Sequence, residues 1–399
     1  MPEALASGTK TIFWWKGNVT PPKSYEEWAR FIQAFAVHEI ALRGLAEVRQ
    51  WYFEVWNEPN LGDFWTGGQD GYFQLYATTS RALKSVDSKL RVGGPATAGM
   101  AWIPEFLTYC KNNDVPIDFV SSHSYSATEG FLDEKGKGGT ILVTAPNSLV
   151  GEFTTARRNI QKSSFPNLPL FITEWGPSYS DRDPIHDSYV CAPFILEKFK
   201  QCENVVDGMS YWAFSDQFEE PGPPNYPFHG GFGLMNVDGL RKPAFYAYDF
   251  LARLYKDQIP VDNSRVIATK HGSSVRVLIW DYSPPIADAP NNPFYTRNLP
   301  ACTLPDTTLS FSGLTPGIYK VSRVGTGWNR NDVYDAYLDL GKPTGDGAHL
   351  SPDFLAKLQA DSSGKPEQLT DIVVDGTCQA QIRLPMRTND VWLVSLEKI

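Results

Sequence analysis

No two cysteines of this sequence form a CxxC pair, and the five present, Cys110, Cys191, Cys202, Cys302 and Cys378, are scattered along the 399 residues. That odd, unpatterned set argues against a disulfide framework and a cysteine zinc site, and it reads as reduced, buried thiols. Basic runs are equally scarce. With 36 Lys and Arg against 45 Asp and Glu, the net charge is -9, and nothing has the footprint of a nucleic-acid binder. No window approaches about 18 uninterrupted apolar residues, so no membrane span is expected. The opening MPEALASGTK has neither a basic n-region nor an apolar h-region, so the expected location is the cytoplasm. A GxSxG elbow, a P-loop and an HExxH helix are all lacking, which removes the nucleophilic-serine, phosphate-loop and zinc-protease classes. No cofactor and no metal are expected, and there is no internal repeat.

What the chain does have is aromatic side chains, at 13% of residues, and length enough for two domains. Trp51 to Asn60, WYFEVWNEPN, is an apolar run that reads as a buried strand and breaks at Asn57-Glu58-Pro59-Asn60. Before it, Ser24 followed by Glu27 makes a capping box, and Trp28, Phe31, Ile32, Phe35, Ala36 and Ile40 recur at helical spacing. After it, helices over 72–85, 103–112, 153–162, 193–200 and 244–256 alternate with strands over 90–94, 117–122, 168–172 and 206–211. Such alternation predicts βα units around a parallel sheet. Beyond about Gln258, short β-type runs parted by Pro, Gly and Asp predict an antiparallel sandwich, interrupted by a helix over 351–360. The expected division is therefore 1–257, a catalytic (β/α) barrel, and 258–399, an accessory β-sandwich. Five βα strands can be assigned where a closed barrel needs eight.

The strand tips carry the chemistry. Asn57-Glu58, His123 with Tyr125, Glu174-Trp175 and Trp212 each follow a hydrophobic run, at the end of the strand where a barrel places its site. Two carboxylates so placed suit glycoside hydrolysis, in which one carboxyl protonates the leaving oxygen and the other attacks the anomeric carbon or activates a water. The plain alternatives are helix-cap carboxylates, a hydrogen-bonded core histidine, ring packing for Trp212 and a solvated loop pair for Glu219-Glu220.

Several stretches together, TIFWWKGNVTPPKSY, WYFEVWNEPNLGDFW, VGGPATAG, SSHSYS, LFITEWGPSYS, YWAFSDQFEEPGPP and FHGGFGLMN, resemble glycoside hydrolase family 39, which includes β-xylosidases and α-L-iduronidases. The resemblance runs from the first residue to about residue 250 and weakens in the sandwich. It implies a (β/α)8 barrel, here without its first three strands, and a retaining exo-glycosidase removing β-1,4-linked xylose from xylo-oligosaccharides. It implies Glu58 as acid/base, Glu174 as nucleophile, Asn57 on the sugar 2-OH and Tyr125 hydrogen-bonded to the nucleophile. His123 and Trp212 would shape the sugar subsite, with Glu219 and Glu220 on xylose hydroxyls. Their acidity favours a neutral sugar over a uronate. Other readings are a related glycosidase acting on another pentose or a uronic acid, and an inactive carbohydrate-binding truncated barrel. An incomplete barrel would need a second copy to cover its sheet edge, making a homo-oligomer.

Overall fold

The computed structural model describes residues 1–130, 139–217, 220–345 and 347–399. Helix α1, Tyr25–Arg43, starts where the capping box predicts: Ser24 Oγ accepts from the Glu27 N–H at 3.2 Å. Trp28, Ile32 and Ala36 form its buried face. Phe31 and Phe35, on the same periodicity, remain 42% and 39% exposed. Helices α2 (Gly68–Val86), α3 (Ile103–Asn112), α4 (Val150–Lys162), α5 (Cys191–Gln201) and α6 (Pro243–Arg253) follow in the expected alternation. No helix among the described residues is long and apolar enough to cross a membrane.

Between them, strands β1 (Tyr52–Glu54), β2 (Arg91–Ala98), β3 (Phe119–Tyr125), β4 (Leu170–Gly176) and β5 (Gly208–Tyr211) form one parallel sheet in sequence order. This is a partial barrel of five strands followed by antiparallel sheets. Two strand ends differ from the sequence reading. β1 stops short of Trp56 because Trp56 and Glu58 have left-handed backbone, with φ of 70° and 46°, which no strand continues. β2 does not end at Gly94 but passes through Pro95. Pro95 has no N–H to give, and the ladder slips by one residue between Pro95 and Thr97. Gly93 is required just before this, since a Cβ there would lie 2.4 Å from the Phe119 carbonyl oxygen. On the inner face Tyr52, Phe119 and Phe171 pack ring to ring at 4.9–5.6 Å between centroids. Within the polar stretch between Ala127 and Val150, Ala127–Glu129 pairs antiparallel with Thr140–Leu142.

The antiparallel part is a seven-stranded sheet packed against a two-stranded one. Strands β6 (Asp257–Ile259), β7 (Val266–His271), β8 (Ser274–Trp280), β10 (Gly317–Thr326), β11 (Glu367–Gln368), β12 (Ile372–Val374) and β14 (Val391–Lys398) make the larger sheet, and β9 (Thr303–Ser312) pairs with β13 (Gln379–Arg387). Helix α7 (Val333–Asp339), not visible in the sequence pattern, precedes the expected α8 (Pro352–Asp361). Trp280, Val324, Val391 and Leu393 of the antiparallel sheet share one hydrophobic cluster with Trp175, Phe194 and Phe250 of the βα part. The cores of the two halves are therefore continuous. Three of the five thiols are buried as expected, but Cys302 is exposed because it precedes the outer strand β9.

Candidate active site

Strand register brings the site together. In the β3–β4 ladder His123 stands beside Glu174, and in the β2–β3 ladder Ala98 stands beside His123. The Glu58 N–H donates to the Ala96 carbonyl at 2.8 Å, which fixes the left-handed turn after β1 against the tip of β2. A buried Glu58 with positive φ is the kind of backbone outlier that clusters at functional sites.

His123 Nδ1 lies 3.0 Å from Glu58 Oε1 and 3.5 Å from Glu174 Oε2, and the Tyr125 hydroxyl donates to Glu174 Oε2 at 2.9 Å. Residues two apart on β3 thus both face the carboxylate pair, His123 reaching both glutamates and Tyr125 bonding Glu174. One oxygen of Glu58, one oxygen of Glu174 and a ring nitrogen of His123 all lie within 4.8 Å of one another. That cluster has the size of a cation site, but its contacts are already hydrogen bonds between a ring nitrogen, a phenol and two carboxyl groups. A shared proton accounts for them.

Burial first, then the Glu58 charge, pushes the Glu174 carboxyl up to about 7, against the pull of His123 and Tyr125. That direction is the reverse of the one expected for a ready nucleophile. Burial works to lower His123, yet its bond to Glu58 and the charges of Glu174, Glu58 and Glu54 leave it raised. The folded state binds the Glu174 proton more tightly than the unfolded chain does. Its stabilising effect is complete below about pH 4.5 and is lost as pH rises through about 7, a change on the order of 3 kcal/mol. Glu174→Gln carries no such charge. Urea unfolding should show it gaining about 2.5 kcal/mol over the parent between pH 5 and pH 8; an equal difference at both pH values would sink the idea.

The two carboxylates open into a cavity of about 530 Å³, walled also by Asn57, Tyr125, Trp212 and Glu220. His123 lies beneath the pair rather than on the wall. Burial, then Asp181, Glu174 and Glu58, pushes Glu220 up to about 7. Glu219 and Phe218 lie outside the described residues. The sequence reading passed over Glu54, whose Oε2 accepts from the Thr173 hydroxyl at 2.8 Å on the cavity floor. An acidic residue inside the apolar run WYFEVW was the available signal.

A parallel barrel sheet carrying two facing carboxylates at its strand tips is the arrangement that barrel glycoside hydrolases use. The particular family follows from comparison. Residues 1–295 match the model of Glycosyl hydrolases family 39, and the chain belongs to that family. A β-xylosidase of Caldicellulosiruptor saccharolyticus is 43% identical over 307 residues, covering 75% of this chain and 61% of that protein. One from Geobacillus stearothermophilus is 42% identical over 291 residues, covering 70% and 56%. The crystal structure of a monomeric β-xylosidase from Caulobacter crescentus superposes with a TM-score of 0.95 at 45% identity, over 100% of this chain and 79% of that one. The chain spans about six tenths of the length of the curated relatives it matches.

Proposed function

We propose that the protein is a retaining exo-glycosidase that releases xylose from β-1,4-linked xylo-oligosaccharides, with residues 1–257 as its catalytic unit and 258–399 as an accessory sandwich. The carrying observation is the approach of Glu58 and Glu174, with oxygens within 4.8 Å. That is near the ~5 to 5.5 Å of retaining enzymes and well short of the ~6.5 to 9.5 Å that leaves room for an inverting water. Identities of 42–43% with β-xylosidases support the choice of sugar.

In the first step a Glu174 oxygen attacks the anomeric carbon, the glycosidic C–O bond breaks, and Glu58 gives its proton to the departing oxygen. In the second, water attacks the same carbon, Glu58 takes the water's proton, and the ester bond to Glu174 breaks. His123, in reach of both carboxylates, bridges the groups between which the proton must be placed. Tyr125 donates to Glu174 and so favours its ionised, attacking form. Because the group at about 7 must be ionised to attack, the acid limb of kcat/KM should fall near neutrality.

Asn57, exposed into the cavity beside Glu58, is assigned to the sugar 2-OH, and Trp212 and Glu220 to the wall that holds the ring. Asn57→Ala should lower kcat/KM on an aryl β-xyloside by about 100-fold, roughly 2.7 kcal/mol of transition-state binding. On the 2-deoxy substrate the same replacement should cost little, since the partner hydroxyl is already gone. Equal losses on both substrates would remove Asn57 from this role. The reading as a whole is tested by assaying a panel of aryl glycosides: turnover of the β-xyloside with retained configuration is expected, and inverted product would overturn the mechanism.

A further inference from the structure

Lys242 stands at the start of α6, and its side chain is entirely buried. Its ammonium group uses its donors on three anchors: Asp187 Oδ1 at 2.6 Å, Asp216 Oδ2 at 2.7 Å and the Gly231 carbonyl at 2.9 Å. Both aspartates are buried too, and each has a second task. Asp187 Oδ2 accepts from the Gly230 N–H at 2.8 Å, and Asp216 Oδ1 from the Gly233 N–H at 2.7 Å. Three segments therefore meet on one cation: the loop after β4, the loop after β5 and the first turn of α6.

The motif HGGFG is explained by this junction. Gly230 has φ of 77°, and a Cβ on Gly231 or Gly233 would come within 2.5 Å of Asp216 Oδ1 or 2.3 Å of its backbone nitrogen. Only bare backbone lets the loop close on the ion cluster. Phe232, in the middle of the motif, lines the cavity that holds Glu58 and Glu174. Glu220 lies between the anchors Asp216 and Gly230, and Tyr179, also on the cavity wall, lies on the loop anchored at Asp187. Buried His186 ties the same two loops, with its ring nitrogens 2.8 Å and 3.0 Å from the carbonyl oxygens of Gly230 and Ser178.

A buried ion cluster is a poor source of stability, because desolvating the charges offsets their attraction and an apolar core would do as well. Its effect lies in geometry, since charge-assisted bonds fix where the loops run. We infer that Lys242 is a positioning residue for the substrate wall: with Asp187 and Asp216 it clamps the two loops that present Tyr179, Glu220 and Phe232 to the sugar. This rests on the glycosidase reading for its kinetic consequence but not for the clamp itself.

Two readouts keep these apart. Lys242→Met should raise KM for an aryl β-xyloside by about tenfold while kcat changes by less than about threefold, the signature of lost uniform binding. Hydrogen exchange should rise in peptides spanning 177–190 and 228–236 and stay unchanged in α2 and α3. Asp216→Asn, which keeps an acceptor for Gly233 and the Lys242–Asp187 pair but loses one ion pair of the clamp, should move both measurements in the same direction by less than Lys242→Met does. If Lys242→Met does not fold, the charge-free combination Lys242→Met, Asp187→Asn, Asp216→Asn replaces it, with the same expected rise in KM. An unchanged KM in the folded variant, or exchange that rises evenly through the chain, would overturn the proposal. If the parent turns over no glycoside, the functional reading fails, and the exchange pattern still decides whether the clamp exists.

Discussion

Glu174→Ala is expected to lower turnover of an aryl β-xyloside on the order of 10⁴-fold or more, because the group proposed to form the covalent intermediate is gone while binding is kept. The argument turns on which face of the sugar is left open. On the mechanism proposed above, Glu174 of the parent attacks from the side opposite the leaving group. Removing its carboxylate leaves a void there, while Glu58 still stands on the other side to donate a proton. Added azide fits that void and attacks the anomeric carbon from the same direction. Rates should recover, and the product should be the α-glycosyl azide, inverted relative to the substrate. NMR of the azide product reads the configuration directly. Unchanged turnover in Glu174→Ala would exclude the residue as nucleophile, and a β-azide would exchange the roles of the two glutamates.

Much of this site was legible because strand tips in a βα fold are where side chains meet. The hydrophobic runs before Glu58, His123 and Glu174 were enough to place all three at one end of one sheet. Their spacing across the sheet was not readable, since it depends on register, and the slips beside Pro95 and between Ser122 and His123 carry no local signal. Backbone left-handed at Trp56 and Glu58 was likewise invisible, because neither residue type favours that conformation. Where propensity and packing agreed, as in the Ser24 cap and α1, the element fell where expected. The short strands β11 and β12 were missed for want of any two-residue periodicity long enough to read. Lys242, Asp187 and Asp216 are ordinary surface residue types by sequence, and only the fold makes them one cluster.

The second large effect separates the glutamates by leaving group. If Glu58 is the acid/base, as proposed, Glu58→Ala removes the proton donor of the first step and the base of the second, so its cost should follow the acidity of the alcohol released. For a xylo-oligosaccharide, whose leaving oxygen must be protonated, kcat/KM should fall on the order of 10³-fold or more. A dinitrophenyl β-xyloside leaves readily as its anion, and its kcat/KM should fall only slightly. Formation of the Glu174 ester then outruns its hydrolysis, because no base activates water. A burst of phenol followed by a slow steady state is expected. Azide needs no base. It enters from the face vacated by the leaving group, where the Glu58 carboxylate no longer repels it, and should restore the steady-state rate with a β-glycosyl azide. The opposite configurations from the two alanine variants test the geometry of the pair more strictly than either rate does, since they require the carboxylates to stand on opposite faces of one bound sugar. A leaving-group-independent loss in Glu58→Ala would remove Glu58 as the proton donor.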